Sequence, residues 1–163
     1  MTMKKRMMAF IVTIVLGLVI TGCSNVKSEP IEVKLSAKKM VDQMVMEAEQ
    51  SAQVQLQPDE VKETYNLNPE ILDEFSIRVP MMNVSTNEIA ILKVKDAKDI
   101  PEVESAVKQR AENVKKLFEY YLPDQYENAK NYKLVTKGNY VLFIISDKAD
   151  ELVNVYDSFF DQK

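Results

Sequence analysis

Histidine and tryptophan do not occur in the 163 residues, cysteine occurs once, at Cys23, and two of the three glycines, Gly17 and Gly22, fall within the first 22 positions. Without imidazole there is no His-based catalytic triad, and a single thiol allows neither an intrachain disulfide nor a Cys-rich zinc site. With Gly138 the only glycine after position 22, neither a dinucleotide-binding fingerprint nor a Walker loop can be written. No cofactor or metal is expected, and most catalytic chemistry is excluded. Acid outweighs base: once the three cations of the first 22 residues (Lys4, Lys5, Arg6) are set aside, 18 Lys and Arg face 25 Asp and Glu, a formal charge of −7. That balance disfavours nucleic acid and anionic membrane surfaces as partners.

What is present at the N-terminus is a leader. The basic start is followed by an uncharged run from Met7 to Ile20, shorter than the roughly 20 residues a membrane-crossing helix needs. The run closes on Ile20-Thr21-Gly22-Cys23, which resembles the bacterial lipobox: an aliphatic residue and two small ones, then a cysteine whose thiolate accepts a diacylglyceryl group. Residues 1–22 are therefore expected to be a removable lipoprotein signal peptide, with Cys23 the lipidated N-terminus. Two or more acyl chains make a stable anchor where one chain binds only marginally. Residues 23–35 carry charge, Ser and Pro30 without a period, as suits a flexible tether, and 36–163 suffice for a single domain.

Within 36–163, Ser36 caps a helix with Ala37, Met40, Val41, Met44 and Val45 on one face, and Pro58 opens a shorter helix carrying Val61 and Tyr65. Phe75, Ile77 and Val79 alternate in an edge-like strand ending at Pro80, and Glu88 to Lys95 alternates in a second. Pro101 starts the longest helix, whose stripe is Val103, Val107, Arg110, Val114, Leu117 and Tyr121. Gly138-Asn139 turns between strands Tyr132–Lys137 and Tyr140–Ile145, the latter apolar on both faces. Ser146 or Asp147 caps a last helix with Leu152, Tyr156 and Phe159 inward. This order predicts an α+β fold, a mostly antiparallel four-stranded sheet with helices packed on one face.

The lipobox, the strand Glu88-Ile-Ala-Ile-Leu-Lys93, the helix holding Arg110, the segment Tyr120-Tyr-Leu-Pro-Asp-Gln-Tyr126 and the turn Lys137-Gly-Asn-Tyr140 together resemble the bacterial lipoprotein family called domain of unknown function 4358. The resemblance covers most of Ser36 to Phe160. It implies a membrane-anchored extracytoplasmic protein of Gram-positive-type bacteria with no established activity, and it carries no catalytic or binding residues over.

Arg110 interrupts an apolar stripe, so its guanidinium needs a partner: either a local carboxylate with the stem packed at the rim, or an anionic ligand held by a bidentate clamp. Ser105-Ala-Val-Lys108 matches the Ser-x-x-Lys pattern of penicillin-recognising enzymes, but companion motifs are missing and Ser105 falls on an outer helix face. Asp96, Asp99, Glu102 and Glu104 interleave with lysines and suit a helix N-terminus better than a calcium loop, which needs a turning glycine. Tyr120, Tyr121, Tyr126, Tyr132 and Tyr140 suit core and rim packing, or a recognition groove. Lys93, Lys95, Lys133 and Lys137 lie on strands, where lysine commonly marks a solvated face and where an anionic wall polymer could bind. The expectation is a lipid-anchored, non-catalytic module on the outer face of the cell membrane that binds an envelope protein or a cell-wall ligand. The alternative is a small envelope hydrolase working with carboxylates alone.

Overall fold

The computed structural model describes residues 31–48 and 52–161. The expected signal peptide (1–22), with Ile20, Thr21 and Gly22 of the expected lipobox, Cys23 and most of the expected tether lie outside that range. Among the described residues five strands form one antiparallel sheet in the order β1-β2-β3-β5-β4, where β1 is Gln53–Gln55, β2 Leu72–Pro80, β3 Glu88–Val94, β4 Lys133–Lys137 and β5 Tyr140–Ile145. Five α-helices accompany them: α1 Ala37–Glu47, α2 Pro58–Tyr65, α3 Ile100–Phe118, α4 Pro123–Lys130 and α5 Ala149–Ser158.

The mixed α+β class and the antiparallel pairing hold, but the expected four strands are five and the single helical layer is two. Ala90, Leu92, Val94, Val141, Phe143 and Ile145 point to a core covered by α2, α3 and α4. Ile89, Ile91, Tyr140, Leu142 and Ile144 point the other way, to a second core under α1 and α5. Strands apolar on both faces need cover on both, because side-chain direction alternates along a strand. β1 makes β2 an interior strand rather than the expected edge; Gln53 pairs with Pro80 and Gln55 with Arg78.

Local chemistry explains the ends. Ser36 Oγ accepts from the Lys39 amide at 3.4 Å and caps α1. Pro58 opens α2, the Glu60 carboxylate accepts from the Gln57 amide at 2.6 Å, and Asn66 closes the helix at φ 51°. Ser146 Oγ accepts from the Lys148 amide at 3.0 Å just ahead of α5. In α3 the buried stripe is Val103, Val107, Ala111, Val114 and Phe118, so Leu117 and Tyr121, expected inward, face out. A helix advances 3.6 residues per turn, and the extra step at Ala111 rotates the stripe away from Leu117. Gly138, at φ 57°, joins β4 to β5 through a two-residue turn. Contact with the body also begins before Ser36: Ile31 lies against Gly138, and Val33 and Leu35 pack on the α1/α5 core.

Candidate functional site

Arg110 is brought to the first residue of β3. Its Nε donates to both Glu88 oxygens at 3.1 Å and its Nη2 to Glu88 Oε2 at 2.8 Å, a two-pronged pairing. The Tyr65 hydroxyl, at the end of α2, donates to Glu88 Oε1, and the Arg110 guanidinium stands 6.0 Å from the Tyr65 ring centre. Glu88 is 1% exposed and the Arg110 side chain 19%. Burial works against the Arg110 cation, yet the facing carboxylate outweighs it and holds the guanidinium pKa above its ordinary value. Burial, then the neighbouring Glu88 charge, pushes the Tyr65 phenol well above its usual range.

The edge of Arg110 that was a candidate for an anion contact is thus occupied by the chain's own carboxylate. Glu88 and Tyr65 were not singled out in the sequence, although a signal existed. Glu88 shares the inward parity of Ala90, Leu92 and Val94, and a charge facing a core needs a counter-charge. Thr86, also buried, is held by Gln125 of α4: its amide donates to Gln125 Oε1 at 2.9 Å.

Beside this cluster the β2–β3 loop and the C-terminal half of α3 leave a groove of about 240 Å³. Val79, Met81, Met82, Val114, Leu117 and Phe118 form most of its wall, while Glu88 and Arg110 reach its floor. Met81, Met82 and Leu117 are 62%, 67% and 71% exposed. A second concavity, between Tyr65-Asn66 and the start of α3, is lined by Glu102, Ser105 and Gln109.

The remaining candidates disperse. Ser105 is exposed, and Lys108 pairs with Glu104 at 3.8 Å, not with the serine. Asp96 accepts from the Lys98 amide and pairs with its ammonium, both at 3.0 Å; Glu104 accepts from Thr136 at 2.7 Å. No group of three acids, cysteines or histidines that could hold a metal ion occurs among the described residues. The tyrosines split: Tyr120 and Tyr121 are exposed, Tyr126 and Tyr132 pack on the α3 core, and Tyr140 belongs to the opposite core. Met40 and Met44 are core, unlike Met81 and Met82.

The strand lysines are all engaged. Lys93 meets Asp73 at 2.9 Å, Lys133 meets Asp150 at 2.6 Å and Lys137 meets Asp157 at 2.9 Å, while Lys95 donates to the Glu70 carbonyl at 2.7 Å. The Asp73 hydrogen bond raises the Lys93 pKa above its usual value despite desolvation. Asp73 reaches Lys93 because the register shifts between Leu72 and Glu74. Among the described residues no helix is long and apolar enough to cross a membrane.

No curated protein and no solved structure was found to match the chain. The family described as Domain of unknown function (DUF4358) matches residues 46–146, which span β1 to β5 and so contain Tyr65, Glu88, Arg110 and the whole groove; the chain belongs to that family.

Proposed function

We propose that this protein is a lipid-anchored module on the extracytoplasmic face of the cell membrane that works by binding and not by catalysis. The observation that carries the binding role is the groove beside Arg110 and Glu88, an open apolar concavity that the fold leaves unfilled. Location rests on Lys4 to Cys23, where a basic start, an apolar run and a lipobox stand in the order a lipoprotein leader requires. The Arg110–Glu88 pair supports the groove mechanically. It fixes α3 against the first residue of β3, so both walls keep their spacing when a ligand enters.

Intact-mass measurement of the native product tests location. A chain starting at Cys23 with a diacylglyceryl mass increment is expected, with release from membranes in Cys23→Ala; an unmodified chain starting at Met1 ends the proposal. Binding is tested by methyl NMR of Met81 and Met82 during titration with short apolar peptides, with Met40 and Met44 as internal references. Shifts confined to Met81 and Met82 are expected. Turnover of chromogenic esters or glycosides by the purified protein overturns the non-catalytic role and restores the carboxylate hydrolase.

A further inference from the structure

The groove and the point where the N-terminal segment meets the body sit at opposite ends of the sheet. β3 runs from Glu88, at the groove, to Val94 beside the β4–β5 turn, about 20 Å away. At the turn end the side chain of Ile31 stands against Gly138, so close that a Cβ there would meet Ile31 Cγ1 at 2.8 Å. Glu32 pairs with Lys93 at 3.5 Å at the same end.

If Cys23 carries the lipid, as the proposed function holds, eight Cα steps separate the anchor from Ile31. Whatever their conformation, they span at most about 29 Å. A pose with the β4–β5 turn toward the bilayer uses little of that reach. A pose that lowers the groove onto the lipid needs Ile31 lifted by the length of β3, about 20 Å, which takes about two thirds of the reach and demands a largely extended tether. The pose that leaves the tether slack, with the groove outward, costs less chain entropy and is the one the tether favours.

Its chemistry then selects the occupant. The loop from Met81 to Asn87 contains no ionisable residue, and the Arg110 charge is balanced by Glu88. A phosphate or carboxylate finds no free counter-charge at the floor. Exposed Met81, Met82 and Leu117 offer apolar, pliable contacts that adapt to irregular side chains. We infer that the groove docks an uncharged apolar segment of another extracytoplasmic polypeptide, presented away from the membrane. This deepens the binding role proposed above and rests on lipidation at Cys23.

A photoreactive amino acid replacing Leu117 in the full-length lipidated chain, irradiated in native membranes and mapped by tandem mass spectrometry, tests this. The expected product is an adduct to a different polypeptide, located on an apolar segment without charge. Its yield should fall about tenfold in Met82→Asp, because a carboxylate in an apolar contact forfeits its hydration. The same probe at the exposed Glu151 of α5 should not give that adduct. Thermal melting checks that Met82→Asp remains folded, and Met81→Asp, at the other exposed methionine of the groove, serves as a second variant. An adduct to lipid, to a second copy of this chain or to a charged segment overturns the inference, as does no adduct above the Glu151 control. Intact mass from the same preparation keeps the two ideas apart: an unmodified Cys23 removes the anchor, whereas a lipidated chain with a silent groove removes only the docking site.

Discussion

The α1/α5 face and the α2/α3/α4 face cover the same five strands, yet they close differently. On the first, Met40, Met44, Leu152, Tyr156 and Phe159 meet strand residues in a core whose rim carries pairs that are at least partly open to solvent, Asp42 with Arg78, Lys133 with Asp150 and Lys137 with Asp157, and the buried cation there, Lys93, meets carboxylates that reach the surface. Such pairs contribute little each, about 0 to 1 kcal/mol, and the face is held by apolar burial. The second face places an arginine and a carboxylate inside and stops short of covering its own end, leaving the groove. A buried ion pair seldom adds net stability over apolar packing, so its presence beside an open concavity fits a role in shaping that concavity.

The largest expected effect breaks the second face. Glu88→Gln removes the counter-charge of Arg110 and should cost about 3–5 kcal/mol in urea unfolding, the range for breaking a buried pair from one side. Replacing both Glu88 and Arg110 by Gln and Met should cost less than the single change. A double variant as unstable as the sum of its parts means that the two residues are not coupled. On the first face, Leu152→Ala should cost about 3 kcal/mol, since the side chain is 1% exposed and leaves a cavity among α1 and α5 residues. A loss below 1 kcal/mol in chemical denaturation means that the α5 cover is not cooperative with the sheet.

The two-sided cover was legible in part. Ile89 and Ile91 against Ala90 and Leu92, and the uniformly apolar Tyr140–Ile145, already required burial on both sides, and the amphipathic stripes of α1 and α5 were plain in the spacing. Predicting one helical layer ignored that requirement. β1 was not legible, because its alternation points the wrong way, with Val54 exposed and Gln53 and Gln55 half-buried, and these three residues are a strand only by pairing with β2, 23 to 27 residues away. Of the site, Arg110 announced its need for a partner. The identity of that partner depends on the crossing of α3 over β3, a tertiary relation that local periodicity does not encode.

Alkaline pH should test both faces together. Tyr65 in one core and Tyr156 in the other have phenols raised above 10.0 by burial first. The unfolded chain releases both protons near pH 10 while the folded chain keeps them, so the stabilisation is whole below pH 10 and is lost as pH rises toward the folded values. Lys93, also raised, works in the same direction above its unfolded pKa. Two phenols give a slope of about 2.7 kcal/mol per pH unit above pH 10. Urea midpoints unchanged between pH 9 and 11 contradict the burial of these hydroxyls.

Gly138→Ala acts at the seam between the first face and the incoming chain. It places a Cβ on a backbone at φ 57° and drives it into Ile31. The left-handed conformation costs a residue with a side chain about 1–2 kcal/mol. The melting temperature should fall accordingly, and Ile31→Ala in the same chain should restore only the part due to the clash. Full restoration assigns the whole effect to packing of Ile31 and none to the turn.

The smallest effect is the most diagnostic for the groove. Leu117→Ala makes the same chemical change as Leu152→Ala, on a side chain 71% exposed that folding leaves largely in water. Since hydrophobic stabilisation follows the area removed from water, and alanine is the better helix former, stability should change by under about 0.5 kcal/mol. Under the proposed binding role, a residue that costs folding almost nothing when truncated, yet keeps a large apolar side chain at the mouth of a concavity, should show its energetic consequence in binding. A loss above 1 kcal/mol for Leu117→Ala means that this end of α3 is part of the core, and the two faces are then sealed alike.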